Sequence, residues 1–139
     1  MTLNFDHLQR CSLTLERSLH SLAGANPGTV DYEVFRNAVI KSFELTLETA
    51  AKLLRKVLKS YVGSPGEIDG LVFKDVLRHA ARHGLLSAEA LERWLTYRDS
   101  RNDTAHNYGE QFADNTLRLI GDFQRDALAL YETLRQKHG

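Results

Sequence analysis

Arg101 and His106 stand five positions apart in the stretch Asp99-Ser100-Arg101-Asn102-Asp103-Thr104-Ala105-His106-Asn107-Tyr108-Gly109-Glu110, and Tyr108 follows two residues after the histidine. A guanidinium is planar and charged at any working pH, so Arg101 can hold a phosphate through two hydrogen bonds and stabilise charge building on phosphorus. An imidazole titrates near neutrality, so His106 can take a proton from a ribose hydroxyl or return one to a leaving oxygen. Together these groups suit phosphodiester cleavage. One imidazole does not comfortably serve as acid and base at once. A twofold pairing of two chains would supply one of each, which makes a homodimer part of the expectation.

The spacing alone is weak evidence, because Arg78 and His83 repeat it in Arg78-His79-Ala80-Ala81-Arg82-His83. That pair sits just before Gly84, at the end of an amphipathic segment where basic side chains answer the helix dipole, and it reads as structural. The Arg101 pair differs in context, with Asn102 after the arginine, Tyr108 beyond the histidine and almost no core-forming residue around them. The plainer alternative is that Arg101 pairs with Asp99 or Asp103, His106 caps a loop and Tyr108 seals the end of a bundle. Geometry constrains the chemical reading. Five residues of regular helix turn a side chain by about 500°, which leaves Arg101 and His106 roughly 140° apart. To serve one site, the helix must loosen, the arginine must reach round, or two chains must combine.

The elements that would position this stretch are helical. From Leu3 to Leu22, Phe5, Leu8, Cys11, Leu15, Leu19 and Leu22 recur at steps of three and four, marking one apolar stripe. Ala23 to Gly28 contains a stop and a turn, and Thr29 can cap the next helix. The second helix is expected from Asp31 to Tyr61, with Phe35, Val39, Phe43, Leu47, Ala50, Leu54 and Val57 on a wide apolar face suited to several neighbours. Its basic run, Lys52, Arg55, Lys56 and Lys59, reads as an ordinary solvated helix end. Gly63 to Glu67 reads as a loop, after which Asp69 can cap a third helix from Leu71 to Arg82. Ser87 caps a short fourth helix through Leu91, Trp94 and Leu95. A final helix carries Phe112 or Ala113, Leu117, Ile120, Phe123, Ala127, Leu130 and Leu134. Between the last two, the periodic pattern lapses, and functional residues concentrate on such connections.

Composition bounds the rest. A length of 139 residues fits a single domain over 1–139, and two prolines with 42% hydrophobic content favour an all-α fold. Eighteen basic and eighteen acidic residues cancel, so any RNA contact must be local and not a long-range pull on polyanions. The lone Cys11 forms no internal disulfide, and the first ten residues carry no basic-then-apolar leader, which points to a cytoplasmic protein. No apolar run approaches the roughly 20 residues needed to cross a bilayer, so no membrane partner is expected.

The segment Arg101-Asn102-Asp103-Thr104-Ala105-His106-Asn107-Tyr108 resembles the Arg-x4-His-x-Tyr motif of HEPN proteins encoded beside minimal nucleotidyltransferases, also called nucleotidyltransferase substrate-binding proteins. The likeness continues in Ser42-Phe43-Glu44-Leu45 with Glu48 and Lys52, in Ser64-Pro65, and in Gly84-Leu85-Leu86 followed by Trp94. It covers nearly the whole chain except a generic first helix. The resemblance implies an up-and-down bundle of four or five helices that forms a homodimer with its motifs facing each other. It implies a toxin that cleaves RNA without metal or cofactor, silenced by a nucleotidyltransferase antitoxin that attaches AMP to the motif tyrosine. Carried over residue by residue, Arg101 and His106 are catalytic, Asn102 is the supporting polar position, and Tyr108 is the AMPylated residue. A non-catalytic partner subunit is the alternative. Glu44 and Glu48 match too, although mid-helix carboxylates more often pair with residues such as Lys52 or Arg55. The Gly66 to Phe73 link is longer than the family's usual one.

Overall fold

Thr29 sets the start of the longest helix: its hydroxyl oxygen accepts from the Tyr32 amide at 3.2 Å, satisfying a donor that a first helical turn leaves open. The computed structural model describes residues 4–106 and 114–138, with only the backbone of residues 102–106, 114 and 115. Through the described residues run α1 (Asp6–Ala23), α2 (Val30–Leu58), α3 (Pro65–Asp69), α4 (Phe73–Arg82), α5 (Ala88–His106) and α6 (Asp114–His138). The fold is all-α, as expected, with one short helix more than the four or five anticipated. The expected start of the last helix at Phe112 or Ala113 lies outside the described residues.

The short connection after α1 returns the chain antiparallel along α2, with Gly28 at φ 85° making the turn. Phe43 of α2 meets Phe123 of α6 edge to face at 4.9 Å, and Tyr61, just past α2, bonds His138 at the far end of α6. α2 and α6 therefore run in the same direction. α5 opposes them: Lys137 of α6 donates to the Gly84 carbonyl just before α5, whereas Tyr97, further along α5, bonds Asp126. The C-terminal end of α5 thus points the same way as the N-terminal ends of α2 and α6.

The core follows the apolar stripes. Leu8 and Leu15 of α1, Val39, Phe43 and Leu54 of α2, and Ile120, Phe123 and Leu130 of α6 are buried together. Trp94 and Tyr97 bring α5 onto this core through edge-to-face contacts with Phe123 at 5.4 and 5.2 Å. Fully burying such side chains stabilises the fold by about 1.5–3 kcal/mol each.

Two segments differ from the sequence expectation. The link expected to be a loop holds α3, begun by Pro65, whose fixed φ suits a first helical position. Asp69 caps nothing in α4: its carboxylate pairs with Lys59 at 2.8 Å, and Val72 precedes α4. The longer Gly66 to Phe73 link is accordingly fastened to α2, with Ile68 buried and Arg55 donating to the Ile68 carbonyl at 3.0 Å. The second difference bears on the motif. α5 does not end after Leu95 but continues unbroken to His106. A helix satisfies its own backbone groups, so a polar run without Pro or Gly can stay helical beyond the layer that buries its earlier turns.

Candidate functional site at the end of α5

α5 begins at a firm stop. Gly84, at φ 76°, closes α4, with the Gly84 amide donating to Ala81 and the Leu85 amide to Ala80, the paired bonds of a glycine-terminated helix. Ser87 then caps α5 by accepting from the Ala90 amide at 3.1 Å. These two devices set where α5 starts, and hence which residues stand at its other end.

The helix is fixed in rotation by Tyr97 and Arg93, one turn apart. The Tyr97 hydroxyl donates to the Asp126 carboxylate at 2.5 Å, and Arg93 grips the same carboxylate with two nitrogens at 2.8 and 2.9 Å. Burial pushes the Asp126 carboxyl up, but the bonds from Arg93 and Tyr97 and the Arg93 charge outweigh it and hold the group below its ordinary value. Burial, then the bond to Asp126, pushes the Tyr97 phenol well above its usual range. The bond to Asp126 and its charge keep Arg93 firmly protonated. A tripartite contact of this kind leaves little freedom to the turn that follows.

Arg101 lies four residues after Tyr97 and seven after Trp94, so it continues the face of α5 that packs on α6. Unlike those two, it is exposed, because α5 has passed beyond the aromatic layer. His106 is the last described residue of α5. The side chains of Asn102 and His106, and Tyr108 as a whole, lie outside the described residues. The helix runs unbroken through residue 106, where the lapse in apolar pattern suggested a connection, and residues 107–110 of that stretch lie outside the described residues. The unbroken run excludes one of three ways to unite the pair. Positions 101 and 106 remain roughly 140° apart about the axis, so a reaching arginine or a second chain is left.

Of the two carboxylates expected as competing partners of Arg101, Asp99 is held by Lys74 of α4 at 3.0 Å, and the side chain of Asp103 lies outside the described residues. Arg78 of the decoy pair binds Asp75 at 2.8 Å, and His83 stacks on Tyr61 with centroids 4.7 Å apart, as a structural reading predicts. Glu48 pairs with Lys52 at 3.2 Å. Among the described residues no three His, Cys, Asp or Glu side chains are grouped to hold a metal ion, and no helix is long and apolar enough to cross a membrane. Sequence reasoning did not single out Arg93, Tyr97 and Asp126. The signal was there in the Arg93-Tyr97 step of four, but their shared carboxylate comes from another helix.

The comparisons with known proteins agree with one another. A family profile described as "Nucleotidyltransferase substrate binding protein like" matches residues 3–136. The chain is 30% identical over 141 residues to a Haemophilus influenzae protein named "Probable ribonuclease HepT", covering 98% of this chain and 94% of that one. A solved structure from Haemophilus influenzae, described as revealing the fold of a substrate binding domain of a nucleotidyltransferase, superimposes with a TM-score of 0.82 at 28% identity, covering 95% of this chain and 99% of that one. With its helical bundle and this match along nearly its full length, the chain belongs to the nucleotidyltransferase substrate binding protein like family, the HEPN type that its sequence resembles.

Proposed function

We propose that the chain is a metal-independent endoribonuclease, a single-domain cytoplasmic toxin that works as a homodimer and is held in check by a cognate nucleotidyltransferase. The observation that carries this reading is the full-length similarity to a protein named a probable ribonuclease, in a chain whose α5 carries Arg101 and His106. In this reading the motif ends of two α5 helices meet. One His106 takes the proton of a ribose 2′-hydroxyl as its oxygen bonds to phosphorus; the other protonates the 5′-oxygen as its bond to phosphorus breaks. Arg101 neutralises the charge gathering on the phosphoryl oxygens, with Asn102 as a supporting polar group. The roughly 140° between positions 101 and 106 is what makes the second chain useful, because each copy presents the two groups to different sides.

Silencing follows the same electrostatics. A nucleotidyltransferase antitoxin would join the Tyr108 oxygen to the α-phosphorus of ATP as pyrophosphate leaves. The resulting AMP sets a phosphate and a nucleoside beside Arg101, occupying the cation that RNA needs. The family description and the solved relative's description favour a second reading, a non-catalytic subunit that serves the nucleotidyltransferase. Purified protein incubated with total RNA and a chelator separates the two. Cleavage that drops at least 100-fold in His106→Ala supports the nuclease. Equal products from both proteins, or none from either, leave the subunit reading.

A further inference from the structure

Arg36 breaks the pattern of the helix that carries it. In α2 the positions Phe43, Ala50 and Val57, seven apart, are each 0% exposed and form the row that faces the core. Arg36 is the next member of that row toward the N-terminus, about 20° off the Phe43 direction. A half-buried arginine therefore continues the core-facing row into the outermost layer. Its Nε is buried and has no hydrogen-bond partner among the described residues. Leaving a charged group's donor buried and unmatched costs stability, and sites that break the packing rules in this way are where function is expected.

The end of the bundle where this happens is the motif end. Phe43, Phe123 and Tyr97 form one aromatic layer, with centroids 4.9 Å apart between Phe43 and Phe123 and 5.2 Å between Phe123 and Tyr97. Arg36 lies two turns beyond Phe43, roughly 10 Å along α2. Arg101 lies one turn beyond Tyr97, roughly 6 Å along the opposed α5, on the same side of that layer. Near this end Asp99 pairs with Lys74 and Asp122 with Arg125, while Glu33, one turn from Arg36 on its own helix, is exposed. From this placement we infer that Arg36 is a phosphate-binding residue at this end of the bundle, holding an RNA phosphate next to the one Arg101 would bind. The inference rests on the nuclease reading for the identity of its ligand, and it fits a chain with no net charge, where a few placed cations must supply all the attraction.

The test measures binding apart from cleavage. A fluorescent single-stranded 20-mer RNA is titrated with the His106→Ala protein over a series of KCl concentrations, alone and combined with Arg36→Gln, Arg36→Met or Arg36→Lys. Arg36→Gln and Arg36→Met should weaken binding about tenfold and lower the salt-dependence slope by about one, whereas Arg36→Lys keeps the slope. Melting of the same proteins provides the structural control. Arg36→Met should melt no lower than its parent, since a buried Nε donor without a partner has been replaced by an apolar chain. An unchanged slope overturns the inference, and so does a fold that both neutral variants lose, which would mark Arg36 as a paired structural cation. RNA binding with an Arg36-dependent slope, but no cleavage by the wild type, keeps Arg36 and removes the nuclease. No binding by the wild type removes both.

Discussion

Tyr97 of α5 and Asp126 of α6 share a 2.5 Å hydrogen bond on a carboxylate that Arg93 also holds, and this contact lies one turn before Arg101. It ties the position of the motif to α6. Tyr97→Phe removes the phenolic donor and leaves the ring. The expected cost is about 1.5 kcal/mol, a fall in melting temperature of about 5 °C, read by calorimetry. A variant as stable as the wild type would show that Arg93 alone suffices.

The same carboxylate gives a pH signature. Asp126 titrates lower in the folded chain than in the unfolded one, so its stabilisation is present above the unfolded value of about 3.9 and is lost as pH falls through the folded value. Tyr97 is shifted up, so its contribution is present below about pH 10 and disappears on the alkaline side. Denaturant unfolding between pH 2 and 7 should show a steeper acid loss for the wild type than for Asp126→Asn. Parallel curves would exclude Asp126 as the source.

Phe123 touches Phe43, Trp94 and Tyr97 edge to face and joins three helices. Phe123→Ala should cost about 3–5 kcal/mol, and Phe123→Leu about 1–2 kcal/mol, the smaller loss reflecting retained volume without the ring geometry. Urea midpoints measure both.

Gly84 turns the chain from α4 into α5 at φ 76°, and a β-carbon there would stand 3.6 Å from the Lys137 ammonium, an ordinary contact. The cost of Gly84→Ala is therefore conformational, about 1 kcal/mol, visible as a melting shift of about 3–4 °C. Gly28→Ala, also at positive φ, should behave alike.

Within α3, Ile68 and Asp69 should separate sharply. Ile68 is fully buried, so Ile68→Ala costs about 2–4 kcal/mol. The Lys59–Asp69 pair is solvated on both sides, so Asp69→Ala costs less than about 1 kcal/mol. Equal losses in chemical denaturation would mean that the ion pair, and not the apolar anchor, holds the link to α2.

Periodicity along the chain determined the apolar stripes of α1, α2, α4 and α6, because three- and four-residue recurrence is a property of neighbours in sequence. So did Thr29, Gly84 and Ser87, whose capping bonds reach only a few residues. The Arg101-to-Tyr108 motif was legible as residue types at a spacing. Its helical backbone was not, since a run of polar residues has no periodic apolar signal, and what carries α5 to His106 is its own hydrogen-bond ladder beyond the Tyr97–Asp126 anchor. Tertiary structure alone decided three things: that Asp126 serves both Arg93 and Tyr97, that Ile68 fastens the long link to the core, and that the Arg36 end of α2 lies on the same side of the aromatic layer as Arg101. Each is a meeting of groups from separate helices, set by how the helices pack and by their directions, and linear spacing carries no record of either.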